Sequence, residues 1–266
     1  MTTTIPNSRA GSLTIVGTGI QVNVQTTPEA REHIAHADRV LYAVSNKVSQ
    51  HWIHSLNPTA ESLESFYQEG KNRLNTYREI AEYILSWVRQ GQNVCAAFYG
   101  HPGIFAYPTH EALRRARLEG YAARMLPGIS AEDCLFADLG GDTALGVFGY
   151  QCYEATDFLI HRRRFDPHST LVLWQIGVIA NLTHETHYQV RGLDMLVEVL
   201  SASYPADHEV CVYEAAQYPI CAPAIQRPRL ADLPGARVTP LSTLYIPRFG
   251  SGEPDADMLR RLGLTA

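Results

Sequence analysis

Two tyrosines and an arginine stand close together in one part of the chain: Tyr67, Arg73 and Tyr77. A phenol loses its proton near about pH 10 and a neighbouring guanidinium lowers that value, so this pair can remove a weakly acidic proton. The same arginine can bind an oxygen on which negative charge develops. Each residue alone also has a structural explanation, because Tyr77 continues an apolar helical stripe and Arg73 can be a solvated helix start.

The elements that must position these residues are one helix and the loop before it. The segment NRLNTYREIAEYILSWVRQ, residues 72–90, carries its apolar residues on one stripe and is followed by a glycine, which predicts a helix. Residues four apart share a helix face, so Arg73 and Tyr77 are predicted neighbours. Tyr67 precedes the helix by a short loop and can fold back onto the same face.

A second candidate site surrounds His101 in the stretch FYGHPGIF, residues 98–105. An apolar run over 94–98 stops at Tyr99, and glycine and proline follow. This pattern predicts a strand that ends in a turn where bare backbone comes close to a ligand. His101 can bind a carboxylate of that ligand or a neighbouring backbone group, and the residues do not decide between these roles.

Along the whole chain, short apolar strands alternate with helical patterns, which predicts an α/β fold with a largely parallel sheet. The first strand pattern, 12–19, ends in the glycine turn GTG. A later one, YAARMLPG, ends at Pro127-Gly128, where we expect the domain junction. The predicted domains are an N-terminal α/β domain over 1–126, which carries the helix and the GHPG loop, and a C-terminal α/β domain over 127–266.

Composition excludes several partners. With 22 Lys and Arg against 27 Asp and Glu, the formal net charge is −5, which argues against nucleic acid as a partner. No apolar run reaches about 18 residues and the N-terminus is polar, so we expect a cytoplasmic protein without a membrane segment. The segment THETH, 183–187, lacks HExxH spacing, and we interpret it as a surface loop with no metal. GTG lacks the third glycine of a dinucleotide fingerprint and indicates a tight turn.

Three pieces in this order, GTG, YGHPGIF and MLPGISAEDCL (125–135), resemble the tetrapyrrole-methylase family of S-adenosylmethionine (SAM)-dependent methyltransferases. The resemblance covers nearly the whole chain. It implies a two-domain class III methyltransferase fold, with SAM in the cleft between the domains, S-adenosylhomocysteine as product and no metal. Most of that family would carry aspartate where this chain has His101.

Further motifs resemble one branch, the borosin peptide α-N-methyltransferases, which methylate backbone amides of ribosomally made peptides. They are YGHPG followed by Phe105, the Tyr67/Arg73/Tyr77 set, LVLWQ (171–175), DHEVCVYEA (207–215) and STLYIP (242–247). The branch implies that Tyr67 or Tyr77 takes the amide proton and that Arg73 binds the amide oxygen. The implied SAM contacts are Tyr99, His101, Ile104, Phe105, Ala106, Ser130 and Ala131, joined by Gln175, Tyr213, Ser242 and Thr243. For Ile104, Phe105 and Tyr213 plain packing is the competing explanation.

The partners expected from this branch are a peptide and a second copy of the chain. Fungal members carry their substrate as a C-terminal extension, whereas the stretch after residue 247 is short and patterned as a packed terminus. We therefore expect the bacterial split type, with the precursor peptide supplied in trans to a homodimer, or to a heterotetramer with two precursor chains. The alternatives are a C-methyltransferase of a tetrapyrrole such as uroporphyrinogen or a precorrin, and a non-catalytic SAM- or peptide-binding module.

Overall fold

The structure, a computed structural model, describes residues 11–44, 46–140 and 149–264. These residues form two compact units. The first contains the described residues up to Asp138 together with Asn181–His187 and Ala215–Pro223, and the second contains those of Leu139–Ala180, Tyr188–Glu214 and Ala224–Ala266. The domain boundary predicted at Pro127-Gly128 stays a prediction. Within the described ranges, no helix has both the length and the apolar character needed to cross a bilayer.

The first unit is built on a parallel five-stranded sheet with the strand order β3-β2-β4-β1-β5. Its strands are β1 Ser12–Gly17, β2 Arg39–Ala43, β3 Glu61–Ser62, β4 Asn93–Phe98 and β5 Ala122–Met125. The helices of this part of the chain are α1 Pro28–His36, α2 Lys47–Leu56, α3 Arg73–Arg89, α4 Tyr107–Leu118 and α5 Ala131–Leu139. The central strands β1 and β4 are buried on both faces, which explains their continuous apolar sequences.

Side-chain caps set where several helices begin. The side chain of Thr27 accepts a hydrogen bond from the Ala30 N–H at the start of α1, and Asn72 does the same for the first turn of α3. The helix predicted over 72–90 is confirmed as Arg73–Arg89. Helix α2 was not predicted from the sequence, although Asn46 caps it by accepting from the Ser49 N–H.

The second unit contains a mixed sheet, which differs from the largely parallel sheet predicted from the sequence. Its strands are β6 Tyr150–Glu154, β7 Thr170–Trp174, β8 Cys211–Glu214, β9 Ala224–Gln226 and β10 Thr243–Ile246, in the order β6-β7-β10-β8-β9. The helices are α6 Ala155–Ile160, α7 Leu193–Leu200 and α8 Ala256–Arg261. Strands β7 and β8 run in the same direction, but β10 lies between them and pairs antiparallel with both. Because β10 comes from later in the chain, the local sequence pattern around β7 and β8 does not indicate that it lies between them.

A network of ion pairs joins α3 to α4. Arg89 contacts Glu82 at 2.5 Å and Glu119 at 2.7 Å, and Arg115 also pairs with Glu82. The hydrogen bond from Arg89, supported by Arg115, holds the pKa of Glu82 below its ordinary value of 4.5. Because the carboxyl group is half exposed, solvent screens these pairs and their net contribution is small.

We expect Glu82→Gln to lower the free energy of unfolding by about 0.5–1 kcal/mol at about pH 7, measured by urea denaturation. A carboxyl group with a depressed folded pKa stabilises the folded state above its unfolded pKa. That stabilisation is lost as the pH falls through the folded pKa. The deficit of the variant should therefore shrink below pH 4.5. Glu198→Gln, at an exposed position of α7, is the control and should show no such trend; a deficit that does not vary with pH would contradict the explanation.

Candidate functional site

Three turns that are distant in sequence meet in the first unit. A Cβ atom on Gly17 would lie 2.4 Å from the carbonyl oxygen of Gly100 and 2.9 Å from Cα of Gly128. The N–H of Gly100 donates to the carbonyl of Gly19 at 3.0 Å, and the reverse bond measures 3.3 Å. The turns after β1, β4 and β5 therefore pack against each other at the carboxyl edge of the parallel sheet, where open α/β sheets bind ligands.

The GTG turn is closed by hydrogen bonds within the protein. Oε1 of Gln25 accepts from the N–H groups of both Ile20 and Gln21, each at 2.9 Å. The N–H of Thr18 donates to the carbonyl of Phe98 at 2.9 Å. Because these N–H groups already have partners, they do not form the phosphate cradle of a dinucleotide fold. The turn fastens β1 to the loop after β4.

His101 holds the conformation of its own loop. Its Nδ1 accepts a hydrogen bond from the N–H of Gly103, two residues later, at 2.9 Å. An aspartate at such a position closes an Asx turn in the same way, so the ring nitrogen takes the place of a carboxylate oxygen. The Thr109 hydroxyl lies 2.5 Å from the carbonyl oxygen of Pro102 and 2.6 Å from that of Ala106. The loop is thus tied at both ends, and His101 makes the backbone contact that was one of its two predicted roles; its contact with a cofactor stays a prediction.

The residues after this turn combine exposed apolar side chains with a strained backbone. Ile104 is 38% exposed and Phe105 is 53% exposed. Phe105 has φ 49°, in the left-handed region, which costs a residue with a side chain about 1–2 kcal/mol. Strain of this kind concentrates at ligand sites. The predicted cofactor residues in this loop therefore have the surface and the conformation to contact a flat apolar group, with the half-buried Tyr99 ahead of them.

The two predicted cofactor residues after Pro127-Gly128 belong to the start of α5. The N–H and the hydroxyl of Ser130 both donate to Oδ2 of Asp133 at 2.7 Å, and the N–H of Asp133 donates back to the Ser130 hydroxyl at 3.2 Å. This reciprocal pair is a capping box, and Ala131 is the first residue of the helix. The buried Ser130 hydroxyl thus has a structural partner, and its contact with a cofactor stays a prediction.

The structure brings the two candidate tyrosines together. The rings of Tyr67 and Tyr77 meet edge to face, with centroids 6.4 Å apart. Arg73 is the first residue of α3, one turn before Tyr77, and all three residues are half-buried. Tyr107, which the sequence analysis missed, stacks on Tyr77 with a centroid distance of 6.3 Å. Its position directly after the GHPGIFA stretch was the available signal.

In the second unit, the predicted cofactor residues gather at one edge of the sheet. Gln175 follows β7 in a left-handed conformation, φ 62°. Tyr213 and Thr243 are cross-strand partners, next to Ser242. The Ser242 hydroxyl donates to Oε1 of Glu214 at 2.5 Å, and Glu214 is a further residue that the sequence analysis missed. Tyr213 is fully buried, which agrees with the explanation that it packs in the core. The cofactor role of these residues stays a prediction.

The THETH segment lies in a surface loop, as we predicted, and its residues are half-buried or exposed. It belongs to the first unit, and Thr183 forms a β-bridge with Asn72, the cap of α3. His184 lies against the Tyr67 ring, with centroids 5.6 Å apart. No group of three or more His, Cys, Asp or Glu side chains within the described ranges is placed to hold a metal ion. The sequence did not reveal these contacts, because the partners are more than a hundred residues away in the chain.

Comparison with solved structures shows the fold. The uroporphyrin-III C-methyltransferase of Thermus thermophilus superposes with a TM-score of 0.63 at 19% identity, over 90% of this chain and 93% of that one. A cobalt precorrin-4 methyltransferase of cobalamin biosynthesis gives a TM-score of 0.64 at 18% identity, over 91% and 97% of the two chains. At such low identities the likeness concerns the fold alone.

Sequence similarity is higher to fungal proteins that are both methyltransferase and precursor of a ribosomally synthesized cyclic peptide. Identity is 42% to the omphalotin A precursor protein of Omphalotus olearius, over 98% of this chain and 63% of that protein. It is 41% to the gymnopeptides precursor protein of Gymnopus fusipes (97% and 62%) and 42% to a type I borosin precursor protein of Serendipita vermifera subsp. bescii (96% and 63%). The chain spans about three fifths of the length of these relatives.

The family comparison covers most of the chain. The family described as tetrapyrrole (corrin/porphyrin) methylases matches residues 12–219, a range that includes the three packed turns and both candidate tyrosines. The α/β fold predicted from those turns is confirmed by the solved methyltransferases that share it. The chain belongs to the tetrapyrrole (corrin/porphyrin) methylase family.

Proposed function

We propose that this chain is a SAM-dependent methyltransferase that methylates backbone amide nitrogens of a peptide. The observation that carries the proposal is the contact between the Tyr67 and Tyr77 rings. Tyr77 lies one helical turn after Arg73 on α3. The support from relatives is the 42% identity to a protein named as both methyltransferase and cyclic peptide precursor. SAM, when bound, supplies an electrophilic methyl group and leaves as S-adenosylhomocysteine.

The chemistry of the amide explains why these side chains are needed. An amide nitrogen is a poor nucleophile because its lone pair is delocalised into the carbonyl group. Tyr67 or Tyr77, as a phenolate, accepts the N–H proton directly or through a water molecule. The Arg73 guanidinium stabilises the negative charge that develops on the amide oxygen. Together these residues make the nitrogen reactive while they hold it in place.

We propose SAM contacts in each of the two units. In the first unit the exposed and strained Phe105 carries the assignment, because such a residue provides apolar surface at the carboxyl edge of a parallel sheet. In the second unit Gln175 is similarly left-handed at a strand end. The remaining proposed contacts are Tyr99, His101, Ile104, Ala106, Ser130, Ala131, Tyr213, Ser242 and Thr243.

We expect the loop-holding bond of His101 to influence SAM affinity. His101→Asn keeps an acceptor within reach of the Gly103 N–H, whereas His101→Leu leaves that N–H without its side-chain partner. The His101→Asn variant should bind SAM with a Kd within about threefold of the wild type. The His101→Leu variant should bind SAM about tenfold or more weakly, because one lost hydrogen bond costs about 1 kcal/mol and the loop also loosens. Isothermal titration calorimetry measures both. Equal affinity of the leucine variant and the wild type would contradict this role.

The source of the peptide and the assembly state stay predictions. The fungal relatives are named as methyltransferase and precursor in one protein. For this chain we propose instead a precursor peptide supplied as a separate molecule, and a homodimer as the active form. Native mass spectrometry of the chain, alone and with the peptide, distinguishes a homodimer from a heterotetramer with two precursor chains.

The test of the function is co-expression of the chain with the small open reading frame beside its gene, followed by intact and fragment mass spectrometry. We expect mass increments of one methylene group that fragmentation places on backbone nitrogens. Increments on the chain itself would show that the substrate is in cis. An unmodified peptide together with methylated uroporphyrinogen would favour the tetrapyrrole alternative, and SAM binding without any transfer would favour a binding module.

A further inference from the structure

The THETH segment runs along the loop that precedes α3. The N–H of Gly70 donates to the carbonyl of His184 at 2.8 Å, and the N–H of His184 donates to the carbonyl of Lys71 at 2.8 Å. One step further, the N–H of Arg73 donates to the carbonyl of Leu182 at 2.9 Å. These backbone bonds form a short ladder within the first unit, and they fasten the loop between the two candidate tyrosines.

A carboxylate strengthens this attachment. Oε2 of Glu69 accepts from the hydroxyl of Thr186 at 2.5 Å and from its N–H at 2.7 Å. These two bonds, the hydroxyl bond first, hold the pKa of Glu69 below its usual range, and the charges of His184 and His187 act in the same direction. Glu69 lies two residues after Tyr67, so the loop is held from its beginning to the first turn of α3.

Tyr67 needs such support because it does not stand on a regular element. It follows the 3-10 turn Glu64–Phe66, and its backbone is extended, with φ −83° and ψ 103°. A side chain on a loop is placed less accurately than one on a helix or strand unless its neighbours lock it. Its ring packs against the hydrophobic core of the first unit and lies against the rings of Tyr77, at 6.4 Å, and His184, at 5.6 Å between centroids.

We propose that His184 is a positioning residue: its ring fixes the orientation of Tyr67, and the 182–186 segment fixes the loop that carries Tyr67. The inference rests on the proposed function, in which the Tyr67 hydroxyl faces the amide. His184 transfers no proton in this assignment and acts only through the Tyr67 ring. Since a misplacement of about 1 Å can lower a rate by about 100-fold, loss of this contact is expected to lower the rate of methyl transfer.

Two pairs of variants test the proposal on the whole chain. His184→Ala removes the ring and should lower kcat by about tenfold, with KM for SAM within about twofold of the wild type. His184→Phe keeps a ring of similar size and should restore kcat to within about threefold of the wild type. Thr186→Val should increase hydrogen exchange at the Gly70 and His184 N–H groups, whereas Thr186→Ser should not. His51→Ala, at an exposed position of α2, is the control.

A second measurement does not depend on methylation. In protein labelled with ¹³C on tyrosine, Tyr67→Phe identifies the ring signal of Tyr67, which should shift in His184→Ala and return towards its position in His184→Phe. If the wild type methylates no peptide but this pattern appears, the proposed function fails and the positioning of Tyr67 stands. An unchanged Tyr67 signal or an unchanged kcat in His184→Ala overturns the inference, and so does a phenylalanine variant as impaired as the alanine variant.

Discussion

Tyr77→Phe should lower the rate constant of peptide methylation by about 100-fold or more, because general acid–base catalysis contributes about 10²–10⁴-fold. The substitution removes only the hydroxyl group and keeps the ring contacts with Tyr67 and Tyr107 at 6.4 and 6.3 Å. The fold and SAM affinity should therefore stay close to those of the wild type. Single-turnover methylation, followed by peptide mass, measures the rate without interference from product release.

The control for this prediction lies on the same helix. The hydroxyl of Tyr83 bonds to Glu61 at 2.7 Å, outside the tyrosine pair, so Tyr83→Phe should methylate at the wild-type rate. Tyr67→Phe, measured in parallel, identifies the base, because the tyrosine that takes the proton gives the larger loss. Arg73→Ala should lower the methylation rate constant by about 10²–10³-fold, because it removes the charge that stabilises the amide oxygen. Arg78→Ala, at an exposed position, should leave the rate constant unchanged. Undiminished methylation by Tyr77→Phe and Tyr67→Phe would remove both from the mechanism.

Gly128→Ala should destabilise the fold by about 3 kcal/mol, the upper end of the usual cost of overpacking, because the atoms it meets cannot move aside. The added Cβ would lie 2.5 Å from the carbonyl oxygen of Gly100 and 2.8 Å from Cα of Gly17, and both are backbone atoms. Relief of the clash requires the three turns to separate, and the loop that carries His101 moves with them. We therefore expect a lower Tm in calorimetry together with loss of SAM binding.

The matched control is Gly235→Ala, at the end of the 3-10 helix Leu230–Gly235. A Cβ there meets no atom within 4 Å, and its φ is not in the left-handed region. This variant should unfold within about 0.5 kcal/mol of the wild type, as surface substitutions do. A Gly128→Ala variant with wild-type Tm and wild-type SAM affinity would show that the three turns do not depend on their close contact.

The parts of the fold that follow from local pattern were predictable. The apolar stripe of 72–90 predicted α3, found at Arg73–Arg89, because a helix buries one face at regular intervals. The continuous apolar runs predicted β1 and β4, which are buried on both faces. The family resemblance carried by GTG, YGHPGIF and MLPGISAEDCL is also borne out. The split type and the separate precursor remain predictions.

What the sequence did not reveal depends on partners distant in the chain. Strand β10 lies between β7 and β8 and pairs antiparallel with both, so the second sheet is mixed, whereas the sequence pattern predicted a largely parallel sheet. Thr186 and Glu69 are 117 positions apart, and no local pattern indicates the hydrogen bond between them. Periodicity reports which face of a segment is buried but not the segment that covers it.

The sequence by itself determined the residue types and the local elements: a tyrosine shortly before one helix, an arginine and a second tyrosine near the start of that helix, and glycines in the turns after the strands. Only the tertiary structure decided which of these residues meet. It placed Tyr67 against Tyr77 and His184, and it packed the turns at Gly17, Gly100 and Gly128 against each other. The physical reason is that backbone geometry and capping act over a few residues, whereas contacts between distant segments form only when the whole chain packs.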